Sequence, residues 1–164
     1  MARRVRLAYL TQDEVRRLPA AASRSPRDRA VFLLMYRHGL RVSEVEMLRH
    51  SDLERGRIAV RRLKNGEGGE HPLASDEVRA LHRYLRTRRD SDDALFRSRS
   101  GGPVTRTQIF RLIRAYCAEA GLDVRLIQDW LGHRNIRNTV VYTRISSPLR
   151  DEAYSRALAT GKVV

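Results

Sequence analysis

Of the 33 basic side chains in this sequence, only Lys64 and Lys162 are lysines and the rest are arginines. A guanidinium stays protonated near neutral pH and does not readily give up its proton, whereas an ammonium can act as a general acid. Lys162 lies in the tail, which leaves Lys64, inside Arg61-Arg62-Leu63-Lys64-Asn65-Gly66, as the candidate proton donor. Gly39 ends one expected helix and Ser43 starts the next, so Arg41 falls at an exposed junction. Histidines 38, 50, 71 and 82 read as structural or surface groups. The single cysteine, Cys117, sits in an apolar helical pattern and reads as a packing residue. It excludes an internal disulfide and fits a reducing cytoplasm.

The formal net charge is +14 and the sequence pI about 11.2. So large a surplus points to a polyanionic partner, nucleic acid above all, although an arginine-rich proteome would also raise every pI. No apolar run approaches the roughly 20 residues of a membrane helix, and the basic start Met1-Ala2-Arg3-Arg4 leads into no apolar stretch, as a secretory signal would. A chain of 164 residues suits one domain with a real core.

Several elements must position these side chains. Thr11 and Glu14 form a capping box for a helix near residues 12–21. After a turn at 23–26, residues 28–38 make a helix whose run of seven apolar residues from Ala30 to Tyr36 belongs in the core. Gly39 is its C-cap. Ser43 with Glu46 caps a short helix that turns Val42, Val45 and Leu48 inward. Residues 57–62 and 70–73 read as two strands, linked by the glycine-rich Asn65-Gly66-Glu67-Gly68-Gly69 hairpin. Ser75 caps a helix to about residue 88 with Val78, Leu81 and Leu85 on one face; Arg83, Arg86, Arg88 and Arg89 read as its solvated side. Residues 98–103 are a loop, and Thr105 caps a helix of Ile109, Leu112, Ile113 and Tyr116 that ends at Gly121. Short helices then carry Val124, Ile127 and Leu131, and Val140, Val141 and Tyr142. The expected class is α+β, mainly α, with a small antiparallel sheet.

At Gly39-Leu40-Arg41-Val42-Ser43-Glu44-Val45 the chain resembles the phage-integrase, or tyrosine recombinase, family. The likeness continues through Leu48-Arg49-His50-Ser51-Asp52-Leu53 and the Lys64 hairpin. It closes on the block from Asp123 to Thr143, which includes Leu131-Gly132-His133-Arg134-Asn135 and Tyr142, and is most similar to the small invertases that switch bacterial fimbrial genes. The resemblance implies a recombinase catalytic domain over residues 11–145, an N-terminal extension at 1–10, and a tail at 146–164 for which the sequence leaves two readings open, docking on a neighbouring protomer and simple fraying. It implies roles as well. Tyr142, nine residues after His133, is the nucleophile that forms a phosphotyrosyl link, so rejoining needs neither ATP nor a metal ion. Arg41 and His133 bind the scissile phosphate, and Lys64 protonates the 5′ oxygen. The implied partner is double-stranded DNA, bound by a homo-oligomer (a tetramer in the family), with no cofactor, metal or membrane.

One part of the family pattern is missing. A buried helix carrying His-x-x-Arg, whose arginine is the second clamp on the phosphate, should precede Asp123. Here Ala118-Glu119-Ala120-Gly121-Leu122 runs straight into Asp123-Val124-Arg125. The string His38-Gly39-Leu40-Arg41 cannot substitute, because its arginine is already the first clamp. The sequence therefore leaves two readings, a recombinase of impaired activity and a catalytically inactive DNA-binding relative. An RNA-binding protein is a third, disfavoured by the absence of an aromatic-basic stacking signature. Under either leading reading, affinity for duplex DNA should fall steeply as salt rises, because released counterions dominate phosphate binding. Fluorescence anisotropy across a salt series checks this, and a flat response would remove nucleic acid as the partner.

Overall fold

The computed structural model describes residues 12–62 and 68–123. Its centre is the helix with the apolar run, α2 (Pro26–His38). Ala30 to Met35 are six consecutive buried residues, as expected of a helix that is apolar on every side. The helix starts earlier than residue 28. The Ser25 hydroxyl accepts from the Asp28 amide at 3.3 Å, and Pro26 occupies the first turn, where its missing N–H costs nothing. It stops at Gly39, which takes the left-handed conformation at φ 59°, as the glycine predicts.

Around α2 pack α1 (Gln12–Ala21), the short α3 (Val42–Met47) and α4 (Ser75–Leu85), while α5 (Arg106–Ala120) lies against α1 and α3. Thr105 and Gln108 cap α5 reciprocally at 3.0 and 3.3 Å, and Gly121 ends it at φ 65°. Ile109, Ile113 and Cys117 recur every fourth residue and are all buried. The Tyr116 ring meets Phe32 edge-on at 5.3 Å, and its hydroxyl donates to Asp28 Oδ2 at 3.0 Å. Burial, then the Asp28 charge, raises the Tyr116 phenol above its ordinary pKa.

The sheet has three antiparallel strands in the order β1 (Leu53–Glu54), β2 (Arg57–Val60) and β3 (Gly69–Pro72). Ile58 pairs with His71 and Val60 with Gly69. Ile58 and Val60 point into the core while Arg57 and Ala59 face outward, the period-two alternation of a half-covered strand. Gly68 is required by close approach, since a Cβ there would lie 2.8 Å from the Val60 carbonyl oxygen.

Four expectations are corrected. Ser43 does not cap α3: Arg41 holds the cap position in extended conformation, and Glu44 rather than Glu46 reaches back to its amide. Ala74, not Ser75, precedes α4, and with no acceptor on its own side chain it relies on Glu77, which accepts from its amide at 2.7 Å. The buried face of α4 is Glu77, Ala80, Leu81 and Tyr84, with Val78 and Leu85 only partly covered, because Tyr84 stacks on Phe96. Arg88 does not belong to the solvated side: its side chain is 8% exposed and it donates to Asp90 and to the carbonyls of Asp92, Ala94 and Leu95. Strand β1 went unread because two residues leave no periodicity. It exists because Arg55 and Gly56, both at positive φ, make the tight turn into β2.

Burial pushes the Cys117 thiol up to about 11. Since the thiolate is the reactive form, the folded protein should resist iodoacetamide at pH 8 and take up one equivalent in urea. Equal labelling rates in the two conditions would contradict this packing.

Candidate active site

The end of α2 builds the site. Its last turn leaves carbonyls without helical partners, and the chain must leave at a sharp angle to begin α3. Gly39 makes the turn, and the Leu40 amide bonds back to the Met35 carbonyl at 3.2 Å while its side chain is buried. Arg41 follows in extended conformation at ψ 157°. Its carbonyl accepts from the amides of Glu44 and Val45 at 2.9 and 3.0 Å, so the residue is held as the first cap of α3. A side chain fixed at both neighbouring peptide groups has little freedom left in its direction.

Glu44 is the hub. Its carboxylate is 1% exposed, a costly place for a charge unless it is paired and bonded. Oε2 accepts from the Arg41 amide at 2.9 Å and from Arg62 Nη1 at 2.9 Å, and Oε1 lies 3.8 Å from Arg41 Nη1. Arg62 also donates to the carbonyls of His38 at 2.6 Å and Gly39 at 3.0 Å. Two guanidinium groups thus flank the Glu44 carboxylate. The Arg41 side chain is 22% exposed against 15% for Arg62. Arg41 is thus the more exposed of the two, where an anion can reach it.

Two further pairs tie this junction to α4. His38 Nε2 and Glu77 Oε1 are 2.8 Å apart, with both side chains buried. Arg37 Nη2 meets Asp76 Oδ2 at 2.6 Å. The root of the β2–β3 hairpin is anchored separately, through Arg61 Nη2 to Asp52 Oδ1 at 2.6 Å. Among the described residues no cluster of three or more His, Cys, Asp or Glu is arranged to hold a metal ion.

Of the four side chains expected to do the chemistry, Arg41 lies in this geometry. Lys64, His133 and Tyr142 lie outside the described residues, as does Arg125. Sequence reading missed Glu44 and Arg62. The signal for Glu44 was a glutamate three residues after the cap position, which was attributed to Ser43 and Glu46 instead. Arg62 had no signal, being one arginine in a basic run.

A helical domain with a three-stranded sheet, whose hairpin root is bonded through Arg62 to the carboxylate that also accepts from the Arg41 amide, belongs to a known class. Residues 8–123 match the phage integrase family, and the chain belongs to that family. It is 42% identical to the type 1 fimbriae regulatory protein FimE of Escherichia coli strain K12, over 82% of this chain and 84% of that protein. The fold is similar to a crystal structure of XerA recombinase, with a TM-score of 0.63 and 28% identity over 90% of this chain and 64% of the other. It is also similar to a lambda integrase tetramer bound to a Holliday junction, with a TM-score of 0.56 and 25% identity over 74% of this chain and 37% of the other.

Truncating Glu44 should cost far more stability than truncating Arg41. Glu44→Ala leaves Arg62 buried without its counter-charge and is expected to destabilise by about 3–5 kcal/mol, whereas Arg41→Ala should stay within about 1 kcal/mol. Urea unfolding of the two variants checks the ranking, and equal costs would refute Glu44 as the hub.

Proposed function

We propose that this chain acts on double-stranded DNA as a site-specific recombinase, cutting and rejoining through Tyr142, and that its activity is reduced relative to intact family members. The observation that carries the reading is Arg41 itself, partly exposed at the cap position of α3 in a chain of this family. A phosphodiester presents two non-bridging oxygens, and a guanidinium fork can take both. In the reaction, the Tyr142 oxygen attacks phosphorus and loses its proton to water. The bond from phosphorus to the 5′ oxygen breaks, and Lys64 supplies the proton that oxygen needs. The product is a 3′-phosphotyrosyl link and a free 5′ hydroxyl, and the reverse attack by a hydroxyl reseals the strand. Arg41 and His133 hold the non-bridging oxygens as charge builds on them, the electrostatic contribution such reactions depend on most.

The second reading is a DNA-binding relative that does not cut, and one observation favours it. The alignment to FimE extends over 167 residues while drawing on 82% of this chain of 164. FimE therefore has residues inside the matched span that have no counterpart here. This supports the inference that the His-x-x-Arg segment, expected between Leu122 and Asp123, is missing. Loss of one preorganised phosphate donor typically costs on the order of 100- to 1000-fold in rate, so slow cleavage is the expected outcome rather than none. The tetrameric state of the lambda integrase structure supports assembly on two DNA sites as the working form.

A covalent adduct decides between the readings. A pool of nicked duplexes, enriched from random sequence by repeated selection for binding to this chain, traps the intermediate, because the short fragment beyond the nick diffuses away before resealing. The native protein should yield a slow-migrating species on a denaturing gel, and Tyr142→Phe should yield none. If the native protein binds the pool but forms no adduct over long incubation, the non-cutting reading holds.

A further inference from the structure

The arginines at the hairpin root differ in what they face. The Arg61 side chain is 59% exposed and reaches the buried Asp52, while Arg57, at the far end of β2, is 35% exposed and lies beside the exposed Glu70. Arg62 turns inward. Three acceptors take its donors, the His38 carbonyl at 2.6 Å, the Gly39 carbonyl at 3.0 Å and Glu44 Oε2 at 2.9 Å. All three belong to the segment that carries Arg41, and the same Glu44 oxygen accepts from the Arg41 amide at 2.9 Å.

We propose that Arg62 is the positioning residue for the phosphate-binding arginine: it fixes the turn that aims Arg41, through Glu44 and the two carbonyls, without itself touching DNA. This rests on the assignment of Arg41 to phosphate made above. The physical reason lies in the shape of the guanidinium. Its planar fork serves two carbonyls and a carboxylate at once, which a single ammonium cannot do in one geometry. The bonds to the α2 carbonyls also place positive charge at the negative end of the helix. Without them the Gly39–Arg41 turn loses three of its restraints, and Glu44 loses the guanidinium beside its Oε2 while Arg41 Nη1 stays 3.8 Å from its Oε1. Arg41 would then be drawn onto Glu44 and away from the phosphate.

The salt dependence of duplex binding tests this without requiring cleavage. Each phosphate contact adds about 0.9 to the slope of log affinity against log salt, so losing one makes the decline between 50 and 200 mM salt roughly 3.5-fold smaller. The probe is a fluorescein-labelled duplex of arbitrary sequence, titrated with the native chain, Arg41→Ala, Arg62→Met and the double variant. The expected result is a slope reduced by about 0.9 in each single variant and no further in the double. Cooperative thermal unfolding would accompany it, to show that the variants are folded. A native slope in Arg62→Met would make Arg62 merely structural and overturn the proposal. A double variant that loses about twice as much would also overturn it, by making Arg62 a phosphate contact in its own right. If Arg62→Met does not fold, Arg62→Gln, which keeps a donor for one carbonyl, carries the same comparison. A flat response in the native chain, or an unchanged slope in Arg41→Ala, would instead sink the assignment of Arg41 and this proposal with it.

Discussion

An α-helix ends with carbonyls that have lost their partners, and α2 ends where the chain must also turn sharply to start α3. The structure meets both demands with one charged network. Gly39 supplies the left-handed turn, Arg62 takes the exposed carbonyls, and Glu44 balances Arg62 while holding the Arg41 amide. Each bond would be of modest value at the surface. Inside, where an unpaired charge costs several kcal/mol, the members hold one another in place, and the direction of Arg41 follows from their joint geometry.

The rest of the fold makes that network rigid. The buried run of α2 is locked on one side by α1 and on the other by α4, so its C-terminal end has a fixed position. Strand β2 brings Arg62 to that end, because Ile58 and Val60 are drawn into the core and the strand's register is set by its pairing with β3. The His38–Glu77 pair does the same for the N-terminus of α4. Glu77 and Glu44 have parallel duties: each is buried, each accepts from the backbone amide that precedes its own helix, and each meets a side chain from a distant element. Two short polar connections thus fix the angles at which three helices leave the sheet region.

This arrangement bears on the phosphate-binding role proposed for Arg41. A site with fewer donors depends more on the placement of those it keeps, since electrostatic stabilisation is preorganised rather than assembled during the reaction. The buried pairing around Glu44 is the feature of the described residues that supplies such order, and it lies apart from any surface that varies freely with charge.

Much of this was legible in the sequence, for local reasons. Gly39 and Gly121 announced helix ends because few other residues adopt a left-handed conformation cheaply. The apolar run of α2 and the apolar pattern of α5, with Ile109, Ile113 and Cys117, announced much of what would be buried. Arg41 could be singled out because the residues from Gly39 to Val45 resemble the family's motif. What the sequence could not disclose was partnership across distance. Arg62 and Glu44 are 18 positions apart, Arg62 and His38 24, and His38 and Glu77 39. No periodicity links such pairs, and among 31 arginines none is marked by its type. Local propensity determined the elements and where they end. Only tertiary packing decided which charges would be buried together, because the energy of an ion pair depends on distance and desolvation, and neither exists until the chain has folded.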